Sequence, residues 1–464
     1  MNMRAWSLLL LLFLSSAISA QHADHYLDTP LPQAWEEGGE VFRQTLPVDD
    51  QWWKSFGDTT LDSLISIAVD RNYSVLTAID RMNMAKAGLR MERSGFFPTV
   101  GINAGWTRQQ TSGNTSELPQ STQHYYDVSA NMSWELDIFG SIRQRVKAQK
   151  ETFAASKEEY TAVMVSLSAQ VASSYIQLRE LQQELKVVER NCASQAAVLK
   201  ITEVRYNTGL VSKLDVAQAK SVYFSTKASM PQLESVINQY ITSLAVLLGT
   251  YPQEIRPVLE RVGELPDYME PISIGIPADL LMRRPDIRSA EHQINAQAAS
   301  LGASKSDWLP QVFIKGSVGY ASKDFKDLTK HKSFTYEIAP ALSWTIFSGG
   351  KLVNATKSAR AQLDEAIDQF NQTVLTAVQE TDNAMTAYRS SIKQIVALRE
   401  VRNQGQETLT LSLDLYKQGL TPFQNVLDAQ RSLLSYENQL VQARGNSLLQ
   451  LIALYQALGG GWNN

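Results

Sequence analysis

Hydrophobic and polar positions along this chain follow two distinct periods, and each recurs. From Ser141 to Thr208 there is no Gly and no Pro, and apolar residues fall at Ile142, Val146, Phe153, Tyr160, Met164, Leu167, Val171, Tyr175, Leu178, Leu181, Leu185, Val188, Cys192 and Leu199. Steps of three, four and seven place them on one face of a single long helix. A second run repeats this at Leu363, Ile367, Phe370, Val374, Val378, Met385, Tyr388, Ile392 and Ile395. A helix of about 67 residues extends roughly 100 Å. Gly209 and Gly419 follow these runs, where a helix end uses glycine to enter a left-handed turn. A second apolar-patterned helix then runs to near Leu248 and Leu458. The pattern predicts two antiparallel helical hairpins, with Pro231 kinking the return helix of the first.

Ahead of each long helix the period changes from 3.6 to 2. Val100, Ile102, Ala104 and Trp106 alternate with small or polar residues. Next come Tyr126, Val128, Ala130, Met132, Trp134, Leu136 and Ile138 on one face, with Asp127, Ser129, Asn131, Ser133, Glu135 and Asp137 on the other. The second copy has Val312, Ile314, Gly316, Val318 and Tyr320, then Phe334, Tyr336, Ile338, Pro340, Leu342, Trp344 and Ile346. Strands of about 9–11 residues with aromatics toward their ends match those of outer-membrane barrels; a soluble antiparallel sheet packed on a helix is the alternative. Four strands cannot close a membrane barrel, whose minimum is about eight, and an open edge in lipid leaves backbone groups unpaired. Two, three or four chains together would supply enough strands.

The chain also resembles itself. Ser133-Trp134 recurs as Ser343-Trp344, Tyr206-Asn-Thr-Gly209-Leu210 as Tyr416-Lys-Gln-Gly419-Leu420, and Leu248-Gly249 as Leu458-Gly459, all 210 residues on. Ser94-Gly-Phe-Phe-Pro98 matches Ser306-Asp-Trp-Leu-Pro310, and Arg71 to Ala78 matches Arg283 to Ala290, both 212 residues on. Agreement in order and offset marks a duplication, too long for a solenoid unit of about 20–50 residues. The expected organisation is a signal peptide over 1–20 and an N-terminal segment over 21–60. A first module over 61–250 follows, with a β-hairpin at 99–138 and a helical hairpin at 140–249. A linker over 251–275 leads to a second module over 276–459, with hairpins at 311–347 and 350–458, and a tail over 460–464.

Composition then removes alternatives. Hydrophobic residues make up 44% and charged residues 19% of 464 residues, and the net charge is −4. That excludes a disordered chain and a basic nucleic-acid binder. Arg4, the apolar run Trp6–Leu14 and the small residues Ser15 to Ala20 read as a secretory signal. The single cysteine, Cys192, excludes an internal disulfide and multi-thiolate metal sites. It continues the apolar stripe from Val188 as a small core residue. Because it lies far from the signal, no N-terminal lipid anchor is expected. His22 and His25 are not read as metal ligands, since a tail behind a leader offers no preorganised geometry. No nucleophile elbow, zinc-protease helix or phosphate-binding loop is present, so no enzyme activity, cofactor or metal is expected, and nothing supplies energy for transport.

The ordered motifs resemble an outer-membrane factor of the TolC-like, OprM/NodT type. They are Trp52-Trp53-Lys-Ser-Phe56-Gly-Asp58, Phe96-Phe97-Pro98, Trp134-Glu135-Leu136-Asp137-Ile-Phe139-Gly140, Leu214-Asp215-Val216 after Gly209, Arg284-Pro285-Asp286-Ile287, Ser343-Trp344-Thr-Ile-Phe347-Ser-Gly349-Gly350 and Leu427-Asp428-Ala429-Gln430. The resemblance implies a mainly α fold with a membrane β-barrel. Long antiparallel helical hairpins form a periplasmic tunnel, and four strands per chain enter a 12-stranded barrel in a homotrimer. It implies a passive exit duct in the outer membrane, serving a periplasmic adaptor (membrane fusion protein) and an inner-membrane transporter such as an RND pump. Small toxic compounds or drugs are the expected cargo. The same duct for metal ions or for type I protein secretion, and a periplasmic coiled-coil scaffold without a channel, are the alternatives. Many relatives carry a lipid on an N-terminal cysteine that this chain lacks.

The resemblance further implies closure at the helical tips beside Gly209 and Gly419. Tyr416 corresponds to a gate tyrosine, with Tyr206 as its first-copy counterpart. Asp428 and Asn425 fall where relatives place constriction acids, and Asp215 is the counterpart of Asn425. Gln424 and Arg431 lie about one turn either side of Asp428, within reach of its carboxylate on one helix face. Pairing of Tyr416, Asp428 and Arg431 is expected to hold the tip closed; a plain exposed acid near a helix start is the blander reading of Asp428. If Tyr126, Val128, Ala130, Met132, Trp134, Ile338, Leu342 and Trp344 face lipid, then Asp127, Glu135, Asp137, Lys315 and Glu337 face the barrel lumen. Trp134 and Trp344 then read as interface anchors, and Trp52 and Trp53 as a packed core.

Overall fold

The computed structural model describes residues 26–35, 42–43, 51–110, 112, 114, 121–266, 268, 272–275 and 277–460. The signal segment, His22, His25 and most of the tail lie outside them. In chain order the described elements are β1 (Phe42–Arg43), α1 (Thr59–Arg71), α2 (Tyr73–Ser94), β2 (Thr99–Gln110), β3 (Thr122–Leu136), α3 (Ser141–Asn207), α4 (Lys213–Leu247), α5 (Pro252–Leu259), β4 (Ile272–Ser273), α6 (Asp279–Arg283), α7 (Pro285–Ser306), β5 (Gln311–Ser322), β6 (Phe334–Ser343), α8 (Lys351–Lys417) and α9 (Phe423–Ala457). The helix-patterned runs fold as expected: α3 and α8 each have 67 residues, and α4 and α9 each have 35. Helix α4 runs on through Pro231 without interruption. No described helix is long and apolar enough to cross a membrane.

The chain forms two compact units, and neither is one copy of the repeat. One comprises 1–79, 158–288 and 371–464; the other comprises 80–157 and 289–370. Each therefore draws on both copies. The bounds of the repeat are those of the sequence, and the compact units cut across them.

The first unit has an aromatic centre built from the Trp-Trp motif. Trp52 is 1% exposed. It stacks on Tyr455 at 5.3 Å and 11°, with Trp53 and Phe56 edge-on at 5.7 and 5.9 Å. Burial on this scale makes the segment core, as the sequence suggests for Trp52 and Trp53. Asp58 then starts α1, accepting from the Thr60 and Leu61 amides at 2.8 and 3.3 Å. Its other oxygen accepts from the Tyr175 hydroxyl of α3 at 2.5 Å. The linker is fastened by α3: Gln182 donates to the Leu259 carbonyl and Gln183 to the Gly263 carbonyl, both at 2.7 Å, and Arg179 donates to the Arg261 carbonyl.

The duplication shows in how helix ends are capped. Leu247 and Ala457 occupy equivalent places at the ends of α4 and α9, and the carbonyls there lack intrahelical partners. The Asn72 amide donates to the Leu247 carbonyl at 2.8 Å, and the Arg284 guanidinium to the Ala457 carbonyl at 3.1 Å. The second copy has elaborated the contact. Arg284 also holds Asp286 at 2.7 Å and Glu380 at 2.8 Å, which satisfies a largely buried cation. Gly249 and Gly459 follow, both at positive φ (62° and 71°). A Cβ on Gly249 would collide with the Arg71 carbonyl, whereas Gly209 has open space around it.

Between α3 and α9, the Glu180 carboxylate lies against Gly445, where a Cβ would displace it. Glu184, one turn on, accepts from Gln442 at 2.9 Å. Burial, then repulsion from Glu184, pushes the Glu180 carboxyl up from 4.5 to about 7. Cys192, expected in the core, is half-buried instead.

Two stability outcomes are expected in detergent. Gly249→Ala should destabilise more than Gly209→Ala. Both impose an L side chain on a left-handed residue at about 1–2 kcal/mol, and only the former adds a backbone collision; equal melting-temperature losses would contradict this. The raised Glu180 value means that its contribution is full below the ordinary carboxylate range and falls as pH rises toward and through about 7. Glu180→Gln should therefore flatten the decline in melting temperature between acid and neutral pH.

Candidate functional site

Within the second unit, four strands make one antiparallel sheet in the order β2-β3-β5-β6. Its register aligns the apolar sets of all four. Ile102 faces Ala130, which faces Val318, which faces Tyr336. Likewise Val100 faces Met132, then Gly316, then Ile338. Residues opposite one another share a face, so one side of the sheet is continuously apolar. That side is exposed in the chain: Ile102 is 79%, Tyr336 71%, Ile338 75% and Leu342 66% exposed. Monomeric soluble proteins rarely leave such a patch uncovered.

Aromatic rings cluster at the two ends of this face. At the hairpin end, Tyr126 lies 6.5 Å from Trp106 and 5.4 Å from Phe325, and Tyr320 lies 5.7 Å from Phe334. At the other end, the Trp134 indole donates to the Phe96 carbonyl at 2.9 Å and the Trp344 indole to the Trp308 carbonyl at 3.1 Å. These are the same bond in the two copies, tying each strand end to the turn that enters the preceding strand. Tyr126 and Trp134 are eight residues apart, roughly 27 Å at strand rise, close to the ~25 Å apolar band of a membrane barrel.

The opposite side is mostly small and polar, with Phe313 the large apolar residue among the pairs that carry its charges. Asp127 pairs in register with Gly105 and Ala321, Glu135 with Phe313, Lys315 with Ser133 and Ala339, and Glu337 with Ser317. Four expected strand positions, Asp137, Ile138, Trp344 and Ile346, fall beyond the strand ends. Asp137 stands beyond β3, and its carboxylate accepts from the Ile142 and Arg143 amides at 2.9 and 3.0 Å and from the Arg143 side chain at 3.0 Å. It caps α3 instead of joining the polar face, because a carboxylate satisfies the free amides of a helix start. Trp344 stands one residue past β6.

The helical tips lie in the first unit. Gly209 and Gly419 take φ of 76° and 78° and close equivalent turns. Gln424 donates to both Asp428 oxygens at 3.0 and 3.2 Å, and Arg431 stands 4.0 Å from the same carboxylate. Both ions are more than half exposed, so the pair contributes under about 1 kcal/mol. Asn425 donates to Thr421 at 2.6 Å. Asp215 folds onto Ser212, the N-cap of α4. Among the described residues of this chain, the Tyr416 hydroxyl makes no hydrogen bond to Asp428 or Arg431. Tyr416 is 3% exposed, buried with Val198, Val222, Phe423, Val426 and Leu427, and burial holds its phenol above the ordinary value. Tyr206 is 42% exposed. Arg205, which periodicity does not single out, covers the Tyr416 ring at 4.9 Å. Its mismatch with Leu415 at the 210-residue offset is the one sequence signal that marks it.

A duplicated frame of long helices with a lipid-length amphipathic sheet defines an outer-membrane channel component. The chain belongs to the outer membrane efflux protein family, whose model matches residues 64–250 and 276–460. It is 30% identical over 421 residues to the solvent efflux pump outer membrane protein SrpC of Pseudomonas putida, covering 88% of this chain and 87% of that protein. It is 28% identical over 443 residues to the probable efflux pump outer membrane protein TtgC of Pseudomonas putida, covering 94% and 91%. Its fold is similar to the outer-membrane channel OprN, with a TM-score of 0.88 at 29% identity, covering 94% of this chain and 98% of that one. The protein resides in the outer membrane with a periplasmic portion.

Placing Arg at Val128, in the middle of the apolar face, should cost about 2–4 kcal/mol if that face meets lipid, seen as lower recovery from outer membranes. Arg at Ser129, on the opposite face, should be tolerated. Equal recovery of the two variants would contradict the assignment of faces.

Proposed function

We propose that this chain is one subunit of a homotrimeric exit duct that carries small toxic compounds out of the cell as the outer-membrane part of a tripartite efflux system. The observation that carries this is the four-stranded sheet, with one continuous exposed apolar face and unpaired outer edges on β2 and β6. In lipid those edges must pair with strands of other copies, and three copies supply twelve strands. Asp127, Glu135 and Glu337 then line the lumen with Lys315, favouring cations diffusely, while the apolar face meets lipid. The relatives named for solvent and antibiotic efflux favour small amphipathic cargo.

The duct is passive, so its energy and its choice of cargo reside in partners. An inner-membrane transporter such as an RND pump drives export, and a periplasmic adaptor bridges to the helical tips. Leu210, Leu214 and Leu420 are 67%, 64% and 69% exposed there, an apolar surface suited to a partner. In a trimer the Asp428 carboxylate becomes three like charges around one axis. Such a ring attracts cations and repels anions, and Gln424 and Arg431 hold each carboxylate in place.

Purified full-length protein in planar bilayers should conduct weakly at rest. Asp428→Ala combined with Arg431→Ala should raise that conductance about twofold or more if the ring forms the constriction. Unchanged conductance would refute the tip as the closed end. Recovery of the protein in the soluble periplasm without detergent would refute the duct itself.

A further inference from the structure

The turns that end α3 and α8 are built alike. The Leu210 amide donates to the Arg205 carbonyl at 2.8 Å, and the Leu420 amide to the Leu415 carbonyl at 2.9 Å. Each is the long bond of a helix terminus closed by a left-handed glycine. The copies part at the residue whose carbonyl receives that bond, Arg205 in one and Leu415 in the other.

Arg205 reaches out of its own hairpin. Its Nη1 donates to the Lys417 carbonyl at 2.7 Å, one of those that α8 leaves without an intrahelical partner. Its guanidinium covers Tyr416 at 4.9 Å, and Phe423 packs on the same ring at 5.1 Å. A cation is favoured at a helix C-terminus by the helix dipole and over an aromatic face by the ring quadrupole. Leu415 has no polar side-chain atom with which to return the link. The asymmetry extends to the tyrosines, for Tyr416 is 3% exposed and its counterpart Tyr206 42%. The Arg205 Nε is buried without a hydrogen-bond partner, so this contact falls short of the bidentate grip an Arg can make.

We propose that Arg205 is a gate-positioning residue, a one-way tie from the α3–α4 tip to the end of α8 that sets where the Asp428 face of α9 stands. It touches no cargo, and the inference rests on the reading of the tips as the closed end of the duct. Position is transmitted through packing. Tyr416 shares one buried cluster with Phe423, Val426 and Leu427, and Asp428 follows Leu427 directly. Moving the α8–α9 tip away from α3 breaks the Lys417 bond, uncovers Tyr416 and leaves Arg205 without its partners.

The test is the resting open fraction of full-length channels in planar bilayers, measured for Arg205→Leu, Arg205→Lys and Asp428→Ala. Arg205→Leu places the second copy's residue in the first and should raise the open fraction about tenfold, the ratio to which about 1.4 kcal/mol corresponds. Arg205→Lys should fall between, since an ammonium keeps the charge and loses the planar stack. If Asp428→Ala raises the open fraction and Arg205→Leu does not, the tie is refuted and the tip reading stands. If neither changes it, the tip reading fails and the tie with it. A second measurement separates positioning from loss of structure. Arg205→Cys with Lys417→Cys, in a Cys192→Ser background, should leak until bridged by a short bis-maleimide, then return to within about twofold of the parent. A bridged channel that still leaks overturns the proposal.

Discussion

A backbone amide inside a bilayer has no water to bond, so every strand in the membrane must be paired on both sides. Among the described residues β3 and β5 meet that condition, while β2 and β6 each keep one row of donors and acceptors unused. The apolar face sets the matching demand for cover. Together they leave the single chain with two strand edges and one apolar face that a bilayer requires to be paired or covered. The indole bonds of Trp134 and Trp344 fix where each strand leaves its helix. The Asp137 cap starts α3 immediately beyond β3.

Duplication supplied the frame, and divergence within it marks where the copies do different work. Asn72 and Arg284 perform one task, closing the carbonyl end of a return helix. Only Arg284 adds carboxylate partners. The long-helix ends diverge in the other direction, with a cation in the first copy and an aliphatic residue in the second. Sequence identity between the copies is low, yet helix lengths and turn geometry are held, because a helical hairpin depends on where its apolar stripe ends and not on which apolar residue fills each place.

Much of this was legible in the chain itself. The absence of Gly and Pro from Ser141 to Thr208 predicts α3 almost to the residue, and strict alternation predicts the two faces of the sheet. Alternation carries no information about where a strand stops, so Asp137 and Trp344 are placed in strands they do not join. Each is claimed by a local hydrogen bond, one to helix amides and one to a turn carbonyl. Tyr416 shows the other limit. Its position in the repeat is evident, but its burial rests on an apolar cluster drawn from both hairpins, with Arg205, remote in sequence, over the ring. The interleaving of the copies into two units is likewise unreadable from a repeat, because duplication dictates two similar segments and not which surfaces they bury against each other.

The equal lengths of α3 and α8, and of α4 and α9, have a consequence for how this sequence can vary. Inserting one residue into any of these helices turns everything beyond it by about 100° and shifts it by about 1.5 Å. The apolar stripe would then leave its partner, and the Gly209 and Gly419 turns would no longer stand side by side. Length change is therefore confined to places where nothing downstream is phased. The connections after β2 and β5 are of that kind, and the 212- and 210-residue offsets on either side of the strands locate the one change in length that the duplication has accumulated there. The helices behave as a ruler that admits substitution freely and insertion hardly at all, and tags or binding epitopes belong in the hairpin connections.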